Sequence, residues 1–116
     1  MRRTIGLMAA LVVSGCGADL VSVQSATMRY DTRNSAGLER HEVALTLSQA
    51  ADERIACIRV RCTSGTGSEE GTVLCVDTAR STDVAFGLYA RDRCASAAGV
   101  LTHEDGSEEP FTVEPL

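Results

Sequence analysis

From Val21 onward the chain alternates apolar and polar residues with a period of two, interrupted by short runs rich in Gly, Ser, Asp and Asn. The alternation is plainest in three places. Val43, Leu45 and Leu47 oppose Glu42, Ala44, Thr46 and Ser48; Ile58 and Val60 oppose Arg59 and Arg61; Val84, Phe86 and Leu88 oppose Ala85, Gly87 and Tyr89. A period of two sends successive side chains to opposite faces of a strand, so each segment predicts a strand with one face in a core and one in water. Strands are expected near residues 21–30, 40–48, 54–62, 72–78, 83–91, 98–103 and 110–115. Between them, "DTRNSAG", "QAADE", "TSGTGSEEG", "ARST", "DRCASAAG" and "EDGSEE" supply turn residues. The best helical rival, Leu47 to Arg54, has room for one or two turns only. The pattern predicts an all-β fold: a small β-sandwich of about seven antiparallel strands. Immunoglobulin hallmarks are missing, because there is no tryptophan and no tyrosine two residues before Cys94.

The first fifteen residues follow a different rule. Met1, Arg2 and Arg3 form a positive start, Ile5 to Val13 an apolar run, and Ser14 and Gly15 a small-residue exit. That order is the grammar of a secretory signal peptide. The apolar run is too short to span a bilayer, which takes about 20 residues.

Val13-Ser14-Gly15-Cys16 resembles the lipobox of bacterial lipoproteins, in which a branched aliphatic and two small residues precede an invariant cysteine. The resemblance covers residues 1–17 and implies nothing about the rest of the chain. It implies diacylglycerol joined to the Cys16 sulfur, cleavage after Gly15, and acylation of the new amino terminus. A thiolate is the nucleophile that such alkylation needs. Three acyl chains, at about 0.8 kcal/mol per buried methylene, hold far more firmly than one. In that family an aspartate directly after the cysteine retains the protein in the inner membrane. Gly17 stands there, which implies the outer membrane. The expected organisation is therefore a signal peptide over 1–15, a lipidated tether over 16–20, and one β domain over 21–116.

Cleavage removes Arg2 and Arg3, leaving nine arginines against sixteen carboxylates, a net charge of −7, with no lysine anywhere. Phosphate backbones are bound through clustered basic side chains, so nucleic acid is not expected as a partner. The same charge is repelled by anionic head groups, so the acyl chains on Cys16 are the expected membrane link. The aromatics are Tyr30, Phe86, Tyr89 and Phe111, too few to form stacking platforms.

With Cys16 acylated, Cys57, Cys62, Cys75 and Cys94 remain. An even set in a short exported chain predicts disulfides, and the spacings lack the C-x₂-C knuckles of a structural zinc site. Parity selects a pairing. If residues 54–62 and 72–78 form a hairpin with Cys57 opposite Cys75, then Ile58 meets Leu74 and Ala56 meets Val76, apolar against apolar. Placing Cys62 opposite Cys75 would set Val60 against Asp77 and Arg61 against Val76. Cys57–Cys75 and Cys62–Cys94 are therefore expected.

The inventory for catalysis is thin. His41 precedes Glu42 and His103 precedes Glu104, but neighbours along a strand point to opposite faces, so neither pair is a ready dyad. His41 is expected at the rim of the Val43–Leu45 face and His103 as an exposed strand residue. "HEDGSEE", His103 to Glu109, offers an imidazole and four carboxylates to a hard cation, although the alternating aspartates of an EF-hand loop are absent. "SGTGSEEG" has glycines but no Walker lysine. "GSEE" itself recurs at 67–70 and 106–109, each time before a strand, as expected of two acidic hairpin loops. Arg59 and Arg61, alternating on one strand face, offer an electropositive strip in an acidic chain, or equally solvate that face or pair with Asp and Glu next door. The leading expectation is a non-enzymatic lipoprotein, without cofactor or metal, acting on an envelope protein partner. The alternative is a small-ligand or cation-binding module centred on 103–109. An inhibitor of a secreted enzyme comes third.

Overall fold

The computed structural model describes residues 18–116; the proposed signal peptide and Cys16 lie outside the described residues. Seven strands follow in chain order: β1 (Val23–Arg33), β2 (Glu39–Leu47), β3 (Ile55–Ser64), β4 (Glu69–Asp77), β5 (Asp83–Ala90), β6 (Cys94–Thr102) and β7 (Glu108–Pro115). No helix occurs among the described residues.

The strands form one sheet in the order β4-β3-β6-β7-β1-β2-β5, and its two end strands touch, so the sheet curls into a nearly closed barrel. This differs from the expected antiparallel sandwich. Every neighbouring pair is antiparallel except β1 and β7, which run parallel over Thr27–Glu114 and Met28–Pro115. The period-two pattern carries no information on which strands lie side by side, and this short parallel join is what links the two halves.

Three hairpins share one turn geometry. In each, the glycine N–H donates to the carbonyl three residues back, and Gly37, Gly67 and Gly106 take φ of 84°, 92° and 90°. A type I turn closed by a left-handed glycine is a standard short hairpin loop. The repeated "GSEE" is this turn entering β4 and β7, which is why the motif occurs twice without any larger repeat.

The core follows the alternation. Val43, Leu45 and Leu47 of β2, Ile58 and Val60 of β3, Val84 and Leu88 of β5, and Leu101 of β6 are buried, while Arg59, Arg61, Ala85 and Tyr89 face water. Ile58 meets Leu74 and Cys57 meets Cys75 in the β3–β4 register. Disulfides join Cys57 to Cys75 on the outer face and Cys62 to Cys94 at the core.

Candidate interaction surface

The barrel has two ends, and each carries a buried histidine. At the end where β1 begins, the chain is fastened early. Asp19 N–H donates to the Asp52 carboxylate, Ala51 N–H donates to Asp19, and Val21 N–H donates to the buried carboxylate of Glu53. Glu53 also accepts from Glu104 N–H and lies 2.8 Å from His103 Nδ1. On its other side, His103 Nε2 lies 3.2 Å from Glu109. Burial works against the Glu53 anion, but hydrogen bonds from His103, Glu104 and Val21 outweigh it, so its pKa falls below the usual value. The Glu53 bond raises the His103 pKa against desolvation, with Glu109 adding to the rise. His103 is thus not the exposed strand residue expected from the sequence. It sits 8 % exposed at the first position of the Gly106 turn, where β6 has already ended. Its two nitrogens face carboxylates on opposite edges of the ring, so these three groups do not converge on one point. No cluster of three metal-ligating side chains occurs among the described residues.

At the opposite end, His41 is 1 % exposed, inside the barrel instead of at its rim. Cys94 N–H donates to His41 Nε2, which leaves the proton on Nδ1, 3.6 Å from the Cys94 sulfur. Tyr30 meets the ring edge-on at 5.5 Å and donates its hydroxyl hydrogen to the buried Glu39. Arg33 and Tyr30, both bonded to Glu39, hold that carboxyl below its normal pKa. The network locks the imidazole in place beside the core disulfide. Sequence reasoning missed Glu39 and Glu53. The signal for Glu39 lay in β2 parity, since it shares the side of His41 and Val43; Glu53 lies in a turn, where parity is silent.

One surface open to other molecules is the outer face of β4-β3-β6-β7. The registers place Val73, Arg59, Val100 and Pro110 in one row across the four strands, and Gly71, Arg61, Ala98 and Thr112 in the next. A shallow trough of about 480 Å³ runs along Arg59, Arg61, Thr63, Ser96, Ala98 and Val100, with Glu69 also lining it. The two guanidinium groups stand above a floor of small side chains. Each has a loose carboxylate neighbour: Glu108 at 3.9 Å from Arg59 and Glu69 at 3.7 Å from Arg61. Val73, at the β4 edge of this face, is 63 % exposed. Arg59 and Arg61 thus share one defined surface, where Glu108 and Glu69 offset part of their charge.

No protein-family model matches the chain, and no curated protein matches its sequence.

Proposed function

We propose that this protein is a lipid-anchored envelope lipoprotein of the outer membrane that acts without catalysis, by contact with another envelope protein. The observation that carries the reading is the outer face of β4-β3-β6-β7, where two exposed arginines lack close carboxylate partners in a domain of net charge −7. The anchor rests on Val13 to Cys16 and on how soon the fold begins. Side-chain and backbone bonds hold the chain from Asp19, three residues past Cys16, so little slack separates a lipid on that cysteine from the barrel. The histidines support the non-catalytic part: the nitrogens of His41 face Cys94, and those of His103 face Glu53 and Glu109.

Two measurements test the proposal. Intact mass of detergent-extracted protein is expected to match residues 16–116 with three acyl chains and two disulfides, and Cys16→Ser to abolish incorporation of a clickable palmitate. A photo-crosslinking residue at Val73 is expected to capture a stoichiometric envelope protein. A product that keeps Met1 to Gly15 and carries five free thiols overturns the anchor; crosslinks that are only random overturn the interaction.

A further inference from the structure

We infer that the trough on the outer face of β4-β3-β6-β7 is a docking site for an extended acidic protein segment, whose alternate carboxylates pair with Arg59 and Arg61. The inference deepens the interaction reading above and rests on it.

Charge decides the sign of the partner. Arg29, Arg33 and Arg54 each hold a carboxylate at 2.8 Å or less, and Arg40 pairs with Asp31. Arg59 and Arg61 have only the loose contacts at 3.9 and 3.7 Å, from side chains that are themselves more than half exposed, and of the arginines without a close carboxylate these two line the trough. A bidentate carboxylate can displace such neighbours without breaking a close pair.

Geometry decides the partner's shape. Two residues apart on one strand, the arginines project from the same face, with Cα atoms about 6.6 Å apart. An extended chain repeats its same-side carboxylates at the same spacing, so a Glu-x-Glu segment laid along β3 meets both guanidinium groups at once. The flanking rows let that chain come close. Gly71 and Ala98 lie on either side of Arg61, and Thr63 and Ser96 lie beyond it, with Glu69 at the β4 edge of that row. Val73 and Val100 flank Arg59 and offer apolar contact for the intervening residue.

A phospholipid surface fits less well. If Cys16 carries the lipid, the barrel end nearest it is the one bearing Asp19, Asp52, Glu104, Asp105 and Glu109, which anionic head groups repel. Arg59 and Arg61 lie four and six residues along β3 from that end, about 13 and 20 Å. Both distances exceed a Debye length of about 8 Å at physiological salt.

The test uses the full chain in detergent micelles and the probe peptide acetyl-Thr-Glu-Val-Glu-Thr-amide, followed by amide chemical shifts. Saturable shifts are expected at Val73, Ala98 and Val100, weakened at least tenfold by R59E/R61E and by half-molar salt. The Gln-for-Glu peptide is expected to bind at least tenfold more weakly. R59K/R61K, which keeps the charge, is expected to retain most of the binding, and R29E, on β1, all of it. If the double reversal fails to fold, A98E, which places a carboxylate on the trough floor, is expected to give the same loss. No saturable binding, equal binding of the Gln peptide, or shifts that ignore Arg59 and Arg61 overturn the inference. So does recruitment of C16S protein to phosphatidylglycerol vesicles through the same arginines, which assigns the trough to a membrane. Because C16S protein is expected to bind the peptide as well as wild type, failure of the anchor and failure of the trough are read separately.

Discussion

His103 and its carboxylate partners set the pH response at the barrel end where β1 begins. His103, with its pKa raised by Glu53, contributes stability that is fully present below the unfolded imidazole value of about 6.5 and is lost as pH rises through the folded value. Glu53, with its pKa lowered, contributes stability present above the unfolded carboxyl value of about 4.3 and lost as pH falls through the folded one. The pair therefore holds the Val21 segment and the Glu104 loop together best between those two values. Thermal melts from pH 4 to 9 are expected to show a midpoint that declines on the alkaline side, and His103→Asn to remove that decline. The acid side is expected to persist in the variant, because Glu39, Asp77 and Glu104 are also lowered by their hydrogen bonds. An unchanged alkaline slope in His103→Asn would refute the assignment. Glu53→Ala is expected to cost about 3 kcal/mol in urea melts, since it takes the acceptor from His103 Nδ1 and from the backbone N–H groups of Val21 and Glu104. None of this was legible in the sequence, where Glu53 is one carboxylate among sixteen in a polar turn.

At the scale of strands and turns, the sequence is readable where burial is one-sided and opaque elsewhere. β2, β3 and β5 stand out because one face is aliphatic and the other polar. The first half of β6, Cys94-Ala95-Ser96-Ala97-Ala98, resembles a loop in composition, and becomes strand because β3 pairs along it, with β7 joining on the other side from Ala97. β4 likewise begins three residues before its expected start, where the acidic loop residues pair with the end of β3. Gly99 shows why a small residue is needed in β6. A Cβ there would collide with the ring of Phe111, which lies across the glycine backbone from β7. Gly99→Ala is expected to cost about 1–3 kcal/mol by displacing that ring. Adding Phe111→Ala should remove most of the penalty, a coupling that a double-mutant cycle in urea reads directly. The turn glycines behave differently. At Gly67 and Gly106 a Cβ meets nothing within 4 Å, so alanine costs only the left-handed backbone, about 1–2 kcal/mol at each site and independently of neighbours. Coupling at Gly99 equal to that at Gly106, namely none, would mean that ring contact is not what keeps Gly99 small.

For the whole molecule, the decisive question is what holds a seven-strand sheet of 99 described residues in one curl when its two halves are joined by a short parallel pairing and by the touching edges of β4 and β5. The disulfides divide that work unequally. Cys57–Cys75 ties neighbouring strands of one hairpin across 18 residues, on the outer face. Cys62–Cys94 spans 32 residues and also joins neighbouring strands, β3 and β6, but the loop it closes runs out through β4 and through β5 of the other half before it returns. Chain entropy makes each worth about 3–4 kcal/mol, the longer loop slightly more. Packing separates them further. Cys62 is buried, and the Cys94 backbone and sulfur are both held by His41 of β2, so this bridge also ties β6 to the opposite half of the barrel. Removing both cysteines of a pair should therefore rank clearly: Cys62→Ala with Cys94→Ala loses more stability in urea than Cys57→Ala with Cys75→Ala. The difference should exceed the few tenths of a kcal/mol that loop length alone predicts. His41→Ala ought to lower stability strongly when Cys62–Cys94 is present and much less when it is gone, because the ring and the bridge then no longer share a contact. Equal losses for the two double replacements, together with full additivity of His41→Ala, would show that the bridge acts only through the unfolded chain and that closure of the barrel depends on the sheet alone.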